Sequence, residues 1–154
     1  MGETDYVRRA LKDLGAKIRF WKVAQRPGQP FAFGLLRGKP IFCLPGNPVS
    51  SMLTFEVYVR PAILRMSGKF QYSRPQVMAD IKEEIKVKPG RRYFFRVKLS
   101  KRNGQYYARL TGPQGSGILK SMVLADGLLV IPENVSLIRK GERWPIILLK
   151  KPAF

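Results

Sequence analysis

Cys43-Leu44-Pro45-Gly46-Asn47-Pro48-Val49-Ser50 joins a short apolar run to a long segment whose apolar residues recur every three or four positions. It reads as strand, loop and helix. Asn47 is a strong N-cap type, and Pro48 has its φ preset for a first helical turn that leaves its missing N–H unneeded. Val49, Met52, Leu53, Val57, Arg60 and Leu64 carry the helical period to Met66, with Gly68 as the stop and Glu56 expected on the wet side. The helix is expected to pack on a sheet. Pro61 removes a hydrogen bond to the carbonyl of Val57, so a kink is expected there. A loop ending at a helix start offers unpaired N–H groups at the positive end of the helix dipole, a setting suited to an anion such as phosphate.

Upstream of this stretch, Asp5 to Leu14 reads as a short helix with Val7, Ala10, Leu11 and Leu14 on one face, closed by Gly15. Asp5, a carboxylate at a helix start, reads first as a cap. Lys17 to Val23 reads as a strand. The prolines and glycine of Ala24-Gln25-Arg26-Pro27-Gly28-Gln29-Pro30 then stiffen a loop and fix where Arg26 points. Taken alone, Lys22 and Arg26 are solvated surface charges. Phe31–Leu36 and Pro40–Leu44 flank Arg37-Gly38-Lys39 as a hairpin.

Downstream, Lys69 to Pro75 has no period and marks a boundary, placed between units 1–70 and 71–154. The second unit is β-rich. Gln76–Ile81, Ile85–Val87, Tyr93–Leu99, Gln105–Leu110, Leu128–Ile131 and Ile146–Leu149 are six short strands, with Asn103-Gly104 a strong hairpin signal. Tight turns between short strands predict a small barrel or sandwich. Gly112-Pro113-Gln114-Gly115-Ser116-Gly117 is either a phosphate cradle or a plain flexible connection, and a turn or two of helix follows from Ile118 to Leu124. It is neither a P-loop nor a dinucleotide fingerprint.

The composition narrows the chemistry. The chain has 154 residues, 45% hydrophobic, which is enough for a packed core. It has one cysteine and no histidine, so a disulfide within the chain, a cysteine-built metal site and a histidine base are all excluded. Cys43 reads as a small apolar strand residue. Neither a membrane-length apolar run nor a signal peptide is present, so a cytoplasmic location is expected. The net charge of +19 is shared between the halves, +9 over 1–74 and +10 over 75–154, with no block of five like charges. That spread, without a zinc-finger, basic-zipper or RNP pattern, argues against dedicated nucleic-acid binding.

Read together, Thr4-Asp5-Tyr6-Val7, Phe20-Trp21-Lys22-Val23-Ala24, Arg26-Pro27-Gly28, Phe31-Ala32-Phe33-Gly34, Leu44 to Ser50, Val59-Arg60-Pro61, Gly115-Ser116-Gly117, Ala125-Asp126-Gly127-Leu128 and Ile131-Pro132-Glu133 resemble the C-terminal part of the MoeA-type molybdopterin molybdotransferases. That family includes the E domain of gephyrin. The resemblance implies an α/β fold, part of a MoaB/Mog-like molybdopterin-binding domain, followed by an all-β, barrel-like domain. It implies insertion of molybdate into adenylylated molybdopterin with release of AMP. Asp5 and Lys22 become catalytic candidates, with Asp5 also a candidate Mg²⁺ ligand. Arg26, Pro45, Gly46, Asn47, Pro48, Val49, Ser50 and Ser116 become substrate-binding candidates. Arg26 and Gln29 stand where many relatives have lysine. The implied partners are a second copy of the chain or the family's N-terminal domains, without which this chain alone is expected to be silent. Membrane and nucleic-acid partners are not expected. Two other readings are a gephyrin-like interaction module and a basic nucleic-acid-binding protein.

Overall fold

A computed structural model describes residues 4–151, the side chains of Thr4 and Asp5 excepted. Helix α1 (Thr4–Asp13) ends as its sequence predicts. Gly15 takes φ +76°, and the amides of Gly15 and Ala16 donate to the carbonyls of Lys12 and Leu11, closing the last turn. Its apolar face is not covered, however: Val7 is 46% and Leu14 62% exposed. Strands β1 (Lys17–Trp21), β3 (Ala32–Leu36) and β4 (Lys39–Cys43) form an antiparallel sheet in the order β1-β3-β4. Arg37 and Gly38 join β3 to β4, both at positive φ, the geometry of a two-residue hairpin turn.

The long helix runs as α2 (Pro48–Thr54), a π-helical turn (Phe55–Val59) and α3 (Arg60–Met66). The π turn is where the sequence predicts a kink. Pro61 cannot donate to Val57, and the chain shifts register ahead of it, the Arg60 amide bonding to the carbonyl of Phe55. Thr54 Oγ1 donates back to the carbonyls of Ser50 and Ser51 and loosens the preceding turn.

The remaining strands are β5 (Gln76–Ile81), β6 (Ile85–Lys86), β7 (Arg92–Arg102), β8 (Gln105–Leu110), β9 (Gly127–Ile131), β10 (Leu137–Ile138) and β11 (Arg143–Leu148), with the short helix α4 (Leu119–Val123) before β9. The order β7-β8-β5-β11-β9 closes through a β7–β9 pairing into a five-stranded barrel. Strict alternation on β7 decides the two faces. Tyr93, Val97 and Leu99 turn inward onto Ile81, Leu129, Ile131 and Ile146. Phe94 turns outward. At Gly127 the strands approach so closely that a Cβ would meet Ile146 Cγ2 at 2.5 Å, so only glycine fits. Strand β6 pairs with β10 as a separate ribbon.

Several contacts join the two halves. Strand β2 (Gln25–Arg26), which the proline-rich loop did not predict, pairs in parallel with the start of β7. Leu53 of α2 packs on Phe94 and Leu128, all three buried, so the sheet this helix covers is the barrel's outer face. Glu56, expected on the wet side, instead accepts two hydrogen bonds from Arg74, at 2.9 and 3.0 Å, with Arg60 Nε at 3.9 Å. Such a bidentate pair outperforms a simple surface contact. Beside this seam Met52, Phe55, Met122 and Val123 line an apolar groove of about 420 Å³. Leu53→Ala should lower the unfolding free energy by about 2–5 kcal/mol in urea titration, because the cavity opens where helix and barrel meet.

Candidate anion-binding site

Loops from both halves converge on a polar cleft of about 340 Å³. Its first wall is residues 25–30. Gln25 is buried; its side chain accepts from Tyr58 Oη and donates to the carbonyl of Pro27 at 3.0 Å. Tyr58 in turn stacks on Phe31, ring centroids 4.8 Å apart. Burial pushes its phenol pKa up, Arg92 pulls it down and Glu133 raises it, and the protonated form is the one that donates to Gln25. Gly28, at φ +95°, lies so close that a Cβ would meet Gln25 Nε2 at 2.6 Å and Thr54 Cγ2 at 2.7 Å. The helix therefore sets the loop, and the loop carries Arg26 into the cleft.

The second wall is Pro45-Gly46-Asn47 with Ser50. Asn47 has the extended backbone of a cap, φ −74° and ψ 126°, but its side chain makes no cap bond. Instead Nδ2 donates to Ser116 Oγ at 3.4 Å, and the buried Oδ1 has no partner among the described residues. The helix start thus keeps its N–H groups free of a side-chain acceptor, and the cleft keeps an acceptor for a ligand donor.

The third wall comes from the barrel: Arg91, Gln114 and Ser116. The parallel pairing of Arg26 with Tyr93 brings Arg91 to the same cleft as Arg26. The glycine-rich loop is not a slack connection. Gln114 Oε1 accepts from the Arg96 amide at 2.8 Å while its Nε2 donates to the Arg96 carbonyl at 3.2 Å. Arg96 itself is fully buried and donates to Ser121 Oγ, the Phe94 carbonyl and the Gly115 carbonyl. Burial pulls its pKa down.

Six sequence candidates thus meet in one cleft: Arg26, Pro45, Gly46, Asn47, Ser50 and Ser116. Val49 does not join them, being fully buried in the core. Pro48 is exposed at the helix start and is not part of the lining. Lys22 is exposed outside the lining as well, with φ +87°, its amide bonded to the Phe31 carbonyl. The side chain of Asp5 lies outside the described residues. Among those described, no cluster of three metal-ligating side chains occurs. With two arginines and no carboxylate, the described lining fits an anion rather than a divalent cation. The thiol of Cys43 is half-buried and its pKa raised by that burial, as suits a packing residue. Arg91, Gln114, Gln25, Tyr58 and Arg96 escaped the sequence. Only Arg96 had a signal, a cation in the outward file of a strand otherwise read as half-buried.

The fold joins an α/β unit to a small β-barrel, and loops of both line the arginine-bearing cleft. Residues 79–149 match the family model described as the MoeA C-terminal region (domain IV), and residues 1–65 match that of a probable molybdopterin binding domain. A molybdopterin molybdenumtransferase of Haemophilus influenzae is 33% identical over 144 residues, covering 92% of this chain and 35% of that protein. A putative molybdopterin biosynthesis protein of Methanocaldococcus jannaschii is 35% identical over 150 residues, covering 97% and 34%. The crystal structure of the molybdopterin biosynthesis MoeA protein of Pyrococcus horikoshii superposes with a TM-score of 0.79 at 31% identity, covering 96% of this chain and 36% of that one. The chain belongs to the MoeA family, matching its C-terminal portion. It spans about a third of the length of these relatives.

Tyr58→Phe would leave Gln25 Oε1 buried without its donor. It should cost about 1–3 kcal/mol in thermal unfolding and speed amide exchange across residues 25–30.

Proposed function

We propose that this chain supplies the anion-holding part of a molybdopterin molybdotransferase, acting on adenylylated molybdopterin and molybdate and releasing AMP. The observation that carries this reading is the cleft itself, where Arg26 and Arg91 face a helix start left without a side-chain cap and no described carboxylate intrudes. Both substrates are polyanions. Arg26 and Arg91 can each grip a phosphate or molybdate edge through a planar fork, and the amides of Val49 and Ser50, left without a side-chain cap at the helix start, add donors that need no reorganisation. Gathering like-charged reactants in one cationic cleft offsets their mutual repulsion, which is the main contribution these residues make to the transfer. Asn47 Oδ1 would accept from an N–H or O–H of the ligand.

In the same proposal, Lys22 brings its ammonium to the rim when the complete assembly closes, and Asp5 positions the water that hydrolyses the adenylate. Mg²⁺ would be held by Asp5 together with substrate phosphate oxygens, where it would neutralise part of their charge. The division into units 1–70 and 71–154, a homodimer and a cytoplasmic location belong to this reading too. Among the described residues no helix is long and apolar enough to cross a membrane.

Arg26→Ala and Arg91→Ala should each weaken binding of AMP or molybdate about tenfold by calorimetry at low salt, the loss expected for a charged hydrogen-bonding group. Unchanged affinity in both would remove the cleft from the reaction. In an assembly completed with the family's N-terminal domains, Lys22→Ala and Asp5→Ala should cut molybdate insertion while leaving the unfolding midpoint in place. The isolated chain is expected to show no turnover, and measurable turnover would refute that.

A further inference from the structure

Strands β7 and β8 shape a second polar concavity, a groove of about 660 Å³ that shares no lining residue with the cleft. Lys98 and Arg102 of β7, Arg109 of β8, Lys82 just past β5 and Lys140 ahead of β11 surround it, with Tyr107 among them. Strand register makes this more than a run of surface charge. Lys98 stands directly opposite Arg109, with Ser100 opposite Tyr107. Like charges in facing positions destabilise a sheet.

Nothing in the fold offsets that repulsion with a salt bridge: none of the five cations forms an ion pair among the described residues. Two carboxylates border the groove, and both are turned to neutral donors. Asp80, in register with Tyr107, accepts from Gln105 Nε2 at 2.6 Å, and Glu83 accepts from the Leu110 amide at 2.8 Å. Glu56, Glu84, Asp126, Glu133 and Glu142 hold arginines and lysines elsewhere. Lys82 Nζ lies 3.7 Å from the centroid of the Tyr107 ring, so a cation–π contact fixes one of the five.

We propose that this groove docks an extended acidic segment of a partner protein, with carboxylates meeting the Lys98–Arg109 pair at one end and Arg102 at the other. Outward side chains on a strand recur about every 6.8 Å, so Lys98 and Arg102 lie about 14 Å apart. An extended peptide projects alternate side chains with the same period, and can set an acid against each end. Nucleic acid fits less well. Tyr107 is the one aromatic in the lining and Lys82 covers it, which removes the stacking platform single strands use. A groove about 14 Å long also meets few phosphates, too few for the counterion release that drives duplex binding.

The test uses a short fluorescent peptide with glutamate at alternate positions, titrated into the chain at low salt and read by anisotropy. The double variant K98A/R109A should bind about tenfold more weakly. The control R37A/K39A, which removes the same charge from the exposed β3–β4 turn, should change binding less than about twofold. K98A/R109A should also unfold at a midpoint equal to or above the parent's, the sign expected when an uncompensated repulsion is removed. Equal losses in the two double variants, no loss in either, or a lowered midpoint would each overturn the proposal. So would an oligothymidine that binds more tightly than the peptide with the same residue dependence, since it would give the groove to nucleic acid.

Discussion

Leu53 pressed against Phe94 and Leu128 is the contact on which the rest of the structure depends. Burying such a side chain contributes about 1.5–3 kcal/mol, an appreciable part of the stability of a chain this size. Its larger effect is geometric. It fixes the start of α2 relative to the barrel, and with it the distance between the Pro45–Asn47 loop and the Gln114–Ser116 loop. Asn47 can reach Ser116 only because the helix lies where it does. The β2–β7 pairing and the Glu56–Arg74 fork hold the same relation from either side.

Much of this fold was legible because the sequence writes it in period and punctuation. Gln105–Leu110 emerged with the predicted bounds, since Asn103-Gly104 admits one kind of turn and the residues after it alternate. The long helix was legible in extent but not in form. Pro61 announces a lost hydrogen bond, and whether the axis bends or the register slips depends on Thr54 and on packing that sequence does not display. Strand β2 was invisible for a related reason: proline and glycine argue against regular structure, and two residues bonded to a distant strand leave no periodic trace.

The site divides along similar lines. Loop residues adjacent in sequence, Pro45, Gly46, Asn47 and Ser50, were found together because one turn delivers them together. Arg91 and Gln114 were missed because their place in the cleft depends on barrel closure, which is non-local. Val49 was included by its neighbours, yet the helical period alone puts it in the core. Glu56 shows the reverse error: an acid on a helix is usually solvated, but Arg74 arrives from beyond the connection to meet it.

Lys22 sits at φ +87°, a conformation open to glycine and strained for a lysine by roughly 1–3 kcal/mol. Any library of this chain sorted on heat resistance alone would therefore enrich glycine at that position and discard the ammonium. Directed evolution of the chain needs a ligand in the selection step, because at this residue the most robust backbone and the proposed catalytic side chain belong to different amino acids.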